Sequence, residues 1–223
     1  MHQKKSKKIF IYFFLLLIFG SINNINLNNK EFSKIKKINI IGLNDDDKEI
    51  ILQKLQKIRL NNIFLIDHEN LNKILNSNAF IESHEIFKKY PSTLDIKIKK
   101  TKLLAKINRD SELLFIGSNG KFLKNEQSNF NLPFIFGNPE VKDFLKLKNI
   151  IDESNFLYDE VKNFYFFPSK RWDLELTNKI LIKLSKKNTK ENLNNIFEFI
   201  NNKNFKDIKI IDARVQNQII IND

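Results

Sequence analysis

The run Ile9 to Ile22 constrains this chain more than any other feature. It holds eleven Leu, Ile or Phe residues and no charge, which on an insertion scale sums to roughly −3 to −7 kcal/mol at membrane depth. That is too apolar for a soluble strand. Its fourteen residues make only about 21 Å of helix, against roughly 30 Å of hydrocarbon. Snorkelling by Lys7 and Lys8, and the uncharged continuation SINNINLNN as far as Asn29, extend the usable length. The expected arrangement is a basic tail over 1–8 and a single transmembrane helix over 9–26. Lys4, Lys5, Lys7 and Lys8 precede the run with no acid among them, so the positive-inside bias puts the N-terminus in the cytoplasm. A cleaved secretory signal would share this design but end in small residues of A-x-A type. Here only Gly20 and Ser21 are small, between Phe19 and Ile22, which favours the uncleaved anchor. On either reading residues 30–223 lie outside the cytoplasm.

A chain of 223 residues that is 42% hydrophobic can bury a core in one or two domains beyond the anchor. The net charge of +12 comes from 34 Lys and only four Arg. Arg is the usual reader of bases and phosphates, and no block of five like charges forms a binding arm. Nucleic acid is therefore not an expected partner. Zero cysteines exclude a disulfide framework and a Cys-ligated metal site.

Downstream, KIKKINIIG (34–42) reads as a strand with Ile38 and Ile40 on one face, closed by Gly42. Asn44 and the acids Asp45, Asp46 and Asp47 suit a helix cap and a negative first turn. They lack the alternation and distal Glu of a calcium loop. Ile51, Leu52, Leu55 and Ile58 form one helical stripe. Asp67 caps a second short helix whose apolar face is Leu71, Ile74 and Leu75. Among the histidines, His68 reads as a surface residue, His84 has no partner at ligand spacing, and His2 lies in the basic tail. Pro91 separates two strands, the second alternating Leu94, Ile96 and Ile98 with Asp95, Lys97 and Lys99. Strand, helix, helix, strand, strand over 34–102 is a small α+β domain with helices on one sheet face.

The rest, 103–223, reads as a mixed, β-rich domain with flanking helices. Short strands are expected at 103–108, 112–116 and 121–124, with GSNG as a turn between the last two. LPFIFGNP reads as an extended apolar link and 140–152 as a helix. RWDLEL (171–176) reads as a half-buried strand that starts an apolar face at Trp172. Thr177 and Asn178 are placed in a hairpin turn, Asn tolerating positive φ, with ILIKL returning. Arg171 is free to meet a partner or a local carboxylate. Leu193, Ile196, Phe197 and Ile200 define a last helix, and DIKIIDARVQNQIII (207–221) reads as one long closing strand.

The order of these features resembles the FtsQ/DivIB family of bacterial division proteins. The likeness is carried by the basic tail and single span, KINIIGL, KKYPSTLDIKI, the turn before GKFL, RWDLEL followed by LIKL, and IDARVQNQIII. It implies a POTRA domain followed by a β domain, and a scaffold rather than an enzyme. Such a scaffold is expected to link early inner-membrane division proteins to the FtsB/FtsL complex and to septal peptidoglycan synthesis, with other divisome components meeting the POTRA domain. The resemblance also places the FtsB-contacting segment on Arg214, Val215, Gln216, Asn217, Gln218 and Ile219.

Independently of that resemblance, Arg214 to Ile221 reads as an open edge, because a closing strand with no successor offers unpaired backbone groups that a partner strand can meet. No Cys, paired His, G-x-S-x-G or P-loop supplies catalytic parts, so no catalytic, cofactor or metal residue is expected. The alternatives carried forward are an exported periplasmic enzyme and a POTRA-type chaperone.

Overall fold

In a computed structural model, the described residues are 5–22, 34–60, 62–124, 131–187, 189–201, 208–215 and 218–222. The expected tail and span therefore lie partly outside them, at residues 1–4 and 23–26. Helix α1 covers Lys5–Ile22. Its large apolar side chains from Ile9 to Phe19 are all solvent-exposed. Among the described residues no helix is long and apolar enough to cross a membrane. Three of the eighteen residues of α1 are lysines crowded at its start, so its uncharged part is shorter than a bilayer core.

Two compact units follow from the chain's own packing, one of residues 1–75 with 84–98, the other of 76–83 with 99–223. The first has the expected order: β1 (Lys37–Ile41), α2 (Asp45–Lys54), α3 (His68–Asn76), β2 (Ile81–Lys89) and β3 (Thr93–Lys100). Its sheet runs β1-β3-β2, with β1 parallel to β3 and Ile38 opposite Leu94. A parallel neighbour needs a long crossover, which α2 and α3 provide. Ile51, Leu55, Leu71 and Leu75 from the crossover and Leu94, Ile96 and Ile98 from β3 are buried. Asp67 Oδ1 accepts the N–H groups of Glu69 at 2.9 Å and Asn70 at 3.1 Å, so the expected cap forms. Asn44 occupies its cap position but makes no side-chain cap bond, and Asp45 pairs with Lys48 at 2.9 Å instead. Gly42 turns at φ +100°, where a Cβ would lie 1.9 Å from the Ile98 carbonyl oxygen.

The second unit contains β4 (Leu103–Arg109), β5 (Glu112–Gly117), β6 (Phe122–Leu123), β7 (Phe134–Phe136), α4 (Val141–Asp152), β8 (Val161–Phe166), β9 (Trp172–Leu176), β10 (Leu181–Leu184), α5 (Thr189–Asn201), β11 (Ile210–Ala213) and β12 (Ile220–Asn222). Nine strands form one sheet in the order β12-β11-β10-β9-β8-β7-β4-β5-β6. Its core is a seam running across the strands. Ile107, Ile135, Phe164, Leu174, Ile182 and Ile211 sit opposite one another in register and are all buried. Phe144, Leu147 and Ile151 of α4 and Leu193 and Ile196 of α5 belong to the same cluster. Trp172 belongs to it too, as its place in the apolar alternation predicts.

Four expectations are corrected here. LPFIFGNP is no mere link, because β7 lies inside the sheet, parallel to both β4 and β8. Strand β8 was not foreseen at all. At the β9–β10 hairpin Lys179, not Asn178, takes positive φ (72°), while the Asn178 side chain accepts the Ile180 N–H at 3.2 Å. The closing stretch is two strands, β11 and β12, that fold back on each other. The expected start at Asp207 lies outside the described residues.

Candidate partner-binding edge

Strand β12 ends the sheet. It pairs antiparallel with β11 through Ile210–Asn222, Ile211–Ile221 and Asp212–Ile220, and among the described residues no strand lies on its far side. Strand β11 is enclosed between β10 and β12, so it has no free edge. The open backbone thus belongs to Ile220, Ile221 and Asn222; the first two fall within the open edge expected over Arg214 to Ile221, and all three lie just beyond the segment that the resemblance singles out. The polar run between two Ile-rich runs in KIIDARVQNQIII was the signal that could have split this strand.

Of the expected contact residues, Arg214 and Val215 leave the end of β11, and Gln218 and Ile219 lead into β12. Gln216 and Asn217 lie outside the described residues. The Gln218 N–H reaches the Val215 carbonyl at 3.3 Å, which brings the two described ends of the connection together. Val215 and Ile220 are each 49% exposed. Ile219 packs on the core cluster. Gln218 and Ile219 also line a cavity of about 470 Å³ with Asn192, Asn195 and Glu198 of α5, which offers amides and a carboxylate beside the edge.

Charge beside this edge follows from register. On the sheet surface opposite the seam, Asp173, Lys183 and Asp212 stand side by side on β9, β10 and β11. Opposite charges on neighbouring strands attract across a few ångströms. Arg171 donates to Asp173 at 3.1 Å, so of its two possible roles the local carboxylate is the one seen. Arg214 Nε donates to Asp212 at 2.8 and 2.9 Å, and its backbone N–H adds a bond of 3.1 Å. These bonds from Arg214 hold the Asp212 carboxyl below the usual carboxylate range. The guanidinium of Arg214 is thereby braced while about half of its side chain still meets solvent. Further along the same row, Tyr165 faces Asp173 and stacks on the exposed Phe136 at 5.0 Å.

What the arrangement can do is add a strand. The edge is short, bordered by two exposed aliphatic side chains and one fixed cation, and it carries no grouping of ligating side chains among the described residues.

A strand–helix–helix–strand–strand unit followed by a β-rich unit is the architecture of a POTRA-bearing protein. Two family descriptions match: "POTRA domain, FtsQ-type" over residues 33–100 and "Cell division protein FtsQ/DivIB, C-terminal" over 105–214. The chain belongs to the FtsQ/DivIB family of cell-division proteins. It is 27% identical over 192 residues to the cell division protein FtsQ of Rickettsia bellii, covering 84% of this chain and 72% of that protein. It is 26% identical over 133 residues to DivIB of Clostridium tetani, and 28% over 153 residues to DivIB of Clostridium botulinum. The matches cover 59% and 66% of this chain and 50% and 59% of those two proteins.

Proposed function

We propose that the chain is a non-enzymatic scaffold of the divisome. Held in the bacterial inner membrane by α1 with its N-terminus cytoplasmic, it presents a POTRA domain over 34–102 and a β domain over 103–223 to the periplasm at the division septum. Its β domain captures an FtsB/FtsL-like partner by strand addition, linking early division proteins to septal peptidoglycan synthesis. Other divisome components meet the POTRA domain. One observation carries the capture step: the end strand β12 is unpaired on its far side among the described residues, carries the exposed Ile220 and is approached through the exposed Val215. Unpaired edge amides and carbonyls are a template for another backbone, and exposed side chains beside them give selectivity. Arg214, Val215, Gln216, Asn217, Gln218 and Ile219 would form the approach to that edge. Membrane attachment draws support from α1, whose exposed apolar side chains point all around the helix, the pattern of a helix meant for lipid.

The test is calorimetric titration of the full chain in detergent with an FtsB-like peptide. Val215→Asp and Ile220→Asp each place a charge beside the edge without touching the buried seam. Each is expected to weaken binding at least about tenfold, a loss of about 1.4 kcal/mol, with near-ultraviolet circular dichroism unchanged. Wild-type affinity in both variants would rule out capture at β12.

A further inference from the structure

Folding leaves three large side chains of the first unit in water at one place. Phe64 and Tyr90 are each 59% exposed and Leu65 is 79% exposed. The two rings stack at 4.8 Å with an interplanar angle of 18°, which joins the loop that holds Phe64 and Leu65 to the β2–β3 connection. An aromatic pair with an adjacent leucine, kept out of a core that had room for Ile63 and Ile66 on either side, is an interaction surface rather than a packing residue.

Its position follows from backbone bonds. Lys34 forms an isolated bridge with Asn62, two residues before Phe64. The N–H groups of Lys36 and Lys37 reach the Ser92 carbonyl, two residues after Tyr90, at 2.8 and 3.3 Å. The patch therefore lies at the pole of the sheet where the chain arrives from α1. Eleven residues separate Ile22 from Lys34, a reach of at most roughly 40 Å. Any surface that holds α1 is thus always within range of this pole.

The charge around the patch is mainly positive. Lys34, Lys36 and Lys37 are exposed beside it, and Lys89 precedes Tyr90. Two acids on the same stretches of chain are engaged: Asp67 caps α3, and Asp95 accepts from Asn39 and Lys89. Aromatic rings with a leucine, rimmed by lysine, match the headgroup region of a bilayer, where amphipathic rings settle and ammonium groups meet anionic lipid.

We propose that Phe64, Leu65 and Tyr90 dock on the anionic surface of the bilayer that holds α1, laying this pole of the POTRA domain against the headgroups. The proposal rests on α1 being the membrane anchor. It gives the domain a second, reversible lipid contact that an anchor alone does not require.

The chain has no cysteine, so a single one can carry a polarity-sensitive fluorophore without background. Full-length Leu65→Cys, labelled and reconstituted in phosphatidylcholine vesicles with and without phosphatidylglycerol, is compared with Ile41→Cys, an exposed site at the opposite end of β1. The expected result is blue-shifted emission at position 65 that is quenched by headgroup-depth spin-labelled lipid, strengthened by phosphatidylglycerol and absent at position 41. Adding Phe64→Asp and Tyr90→Ser should abolish the shift while the chain still floats with the vesicles. Equal, water-like emission at both sites in floating protein overturns the docking and leaves the anchor standing; failure to float overturns both. A shift that grows with protein density and resists lipid quenching would assign the patch to a second copy of the chain, and overturn the proposal as well.

Discussion

Asp95 in the small sheet and Asp173 in the large one are almost equally hidden, 6% and 3% exposed, yet their carboxyls are pushed in opposite directions. Asp95 receives Lys89 at 2.5 Å and Asn39 at 2.7 Å, and those bonds hold it below its usual range. Asp173 is raised, because loss of water outweighs the pull of Arg171, Lys183 and Arg214. Among the described residues its direct donor is Arg171, through one bond of 3.1 Å and one of 3.5 Å. Asp173 lies deeper in the protein and has fewer and longer donors to replace the water it loses, and the two differences push its carboxyl the same way. The first unit has made its buried acid a stabilising group at neutral pH, while the second carries its acid at a cost on β9, three strands in from the proposed binding edge.

Stability of the large sheet is expected to depend on its seam far more than on that acid. Phe144→Ala, which removes a fully buried ring packed against Phe164 at 5.6 Å, should cost about 3–5 kcal/mol. Amide exchange would show the loss in β7, β8 and β9; unchanged protection there would mean that the seam is not the core. The glycine turns come next. Gly42→Ala strains a residue at φ +100° against Ile98 in the small sheet, and Gly137→Ala one at φ +94° that would meet the Phe166 carbonyl at 2.3 Å in the large one. Each should cost at least about 1–3 kcal/mol, read as a lowered melting temperature. Equal melting of wild type and both variants would show that these turns relax freely.

The smallest effect tests the aspartates directly. A depressed carboxyl contributes stability that is present above its unfolded value, about pH 4, and lost as pH falls through its lower folded value. A raised one contributes below the unfolded value, and that is lost as pH rises through the folded one. Asp95→Asn should therefore hurt more near pH 7 than near pH 3, and Asp173→Asn more near pH 3 than near pH 7, as followed by urea unfolding. Parallel pH profiles for the two variants would erase the contrast.

The first unit was the more legible in sequence because each element follows one period. Leu71 and Leu75 recur as a helix requires, Leu94, Ile96 and Ile98 as a strand requires, and Asp67 marks a start. The large sheet hides its middle. Strand β8 escapes because a register shift between Val161 and Asn163 breaks the alternation of VKNFYF, leaving Val161 and Phe164 buried three residues apart. Strand β7 puts the apolar Phe134 and Phe136 on its wetter face and Ile135 in the core, so PFIF does not alternate in polarity and passes for a link. Asp173 was expected on the wet side of a half-buried strand and is buried by its cross-strand neighbours instead. Of the candidate edge, its approach was legible from resemblance and its strand was not, because Ile on both sides of the polar run satisfies one long strand as well as two short ones.

Strand β12 is only three residues long. A partner laid along it can form two or three ladder bonds, each worth about 0.5–1.5 kcal/mol net, which by themselves amount to no better than roughly millimolar attraction. Durable association must then draw on side chains around the rim or on several weak contacts made together. A junction built that way comes apart readily once any one contact is lost, as suits machinery assembled and dismantled in every generation, and its brevity keeps stray strands from zipping onto it in between.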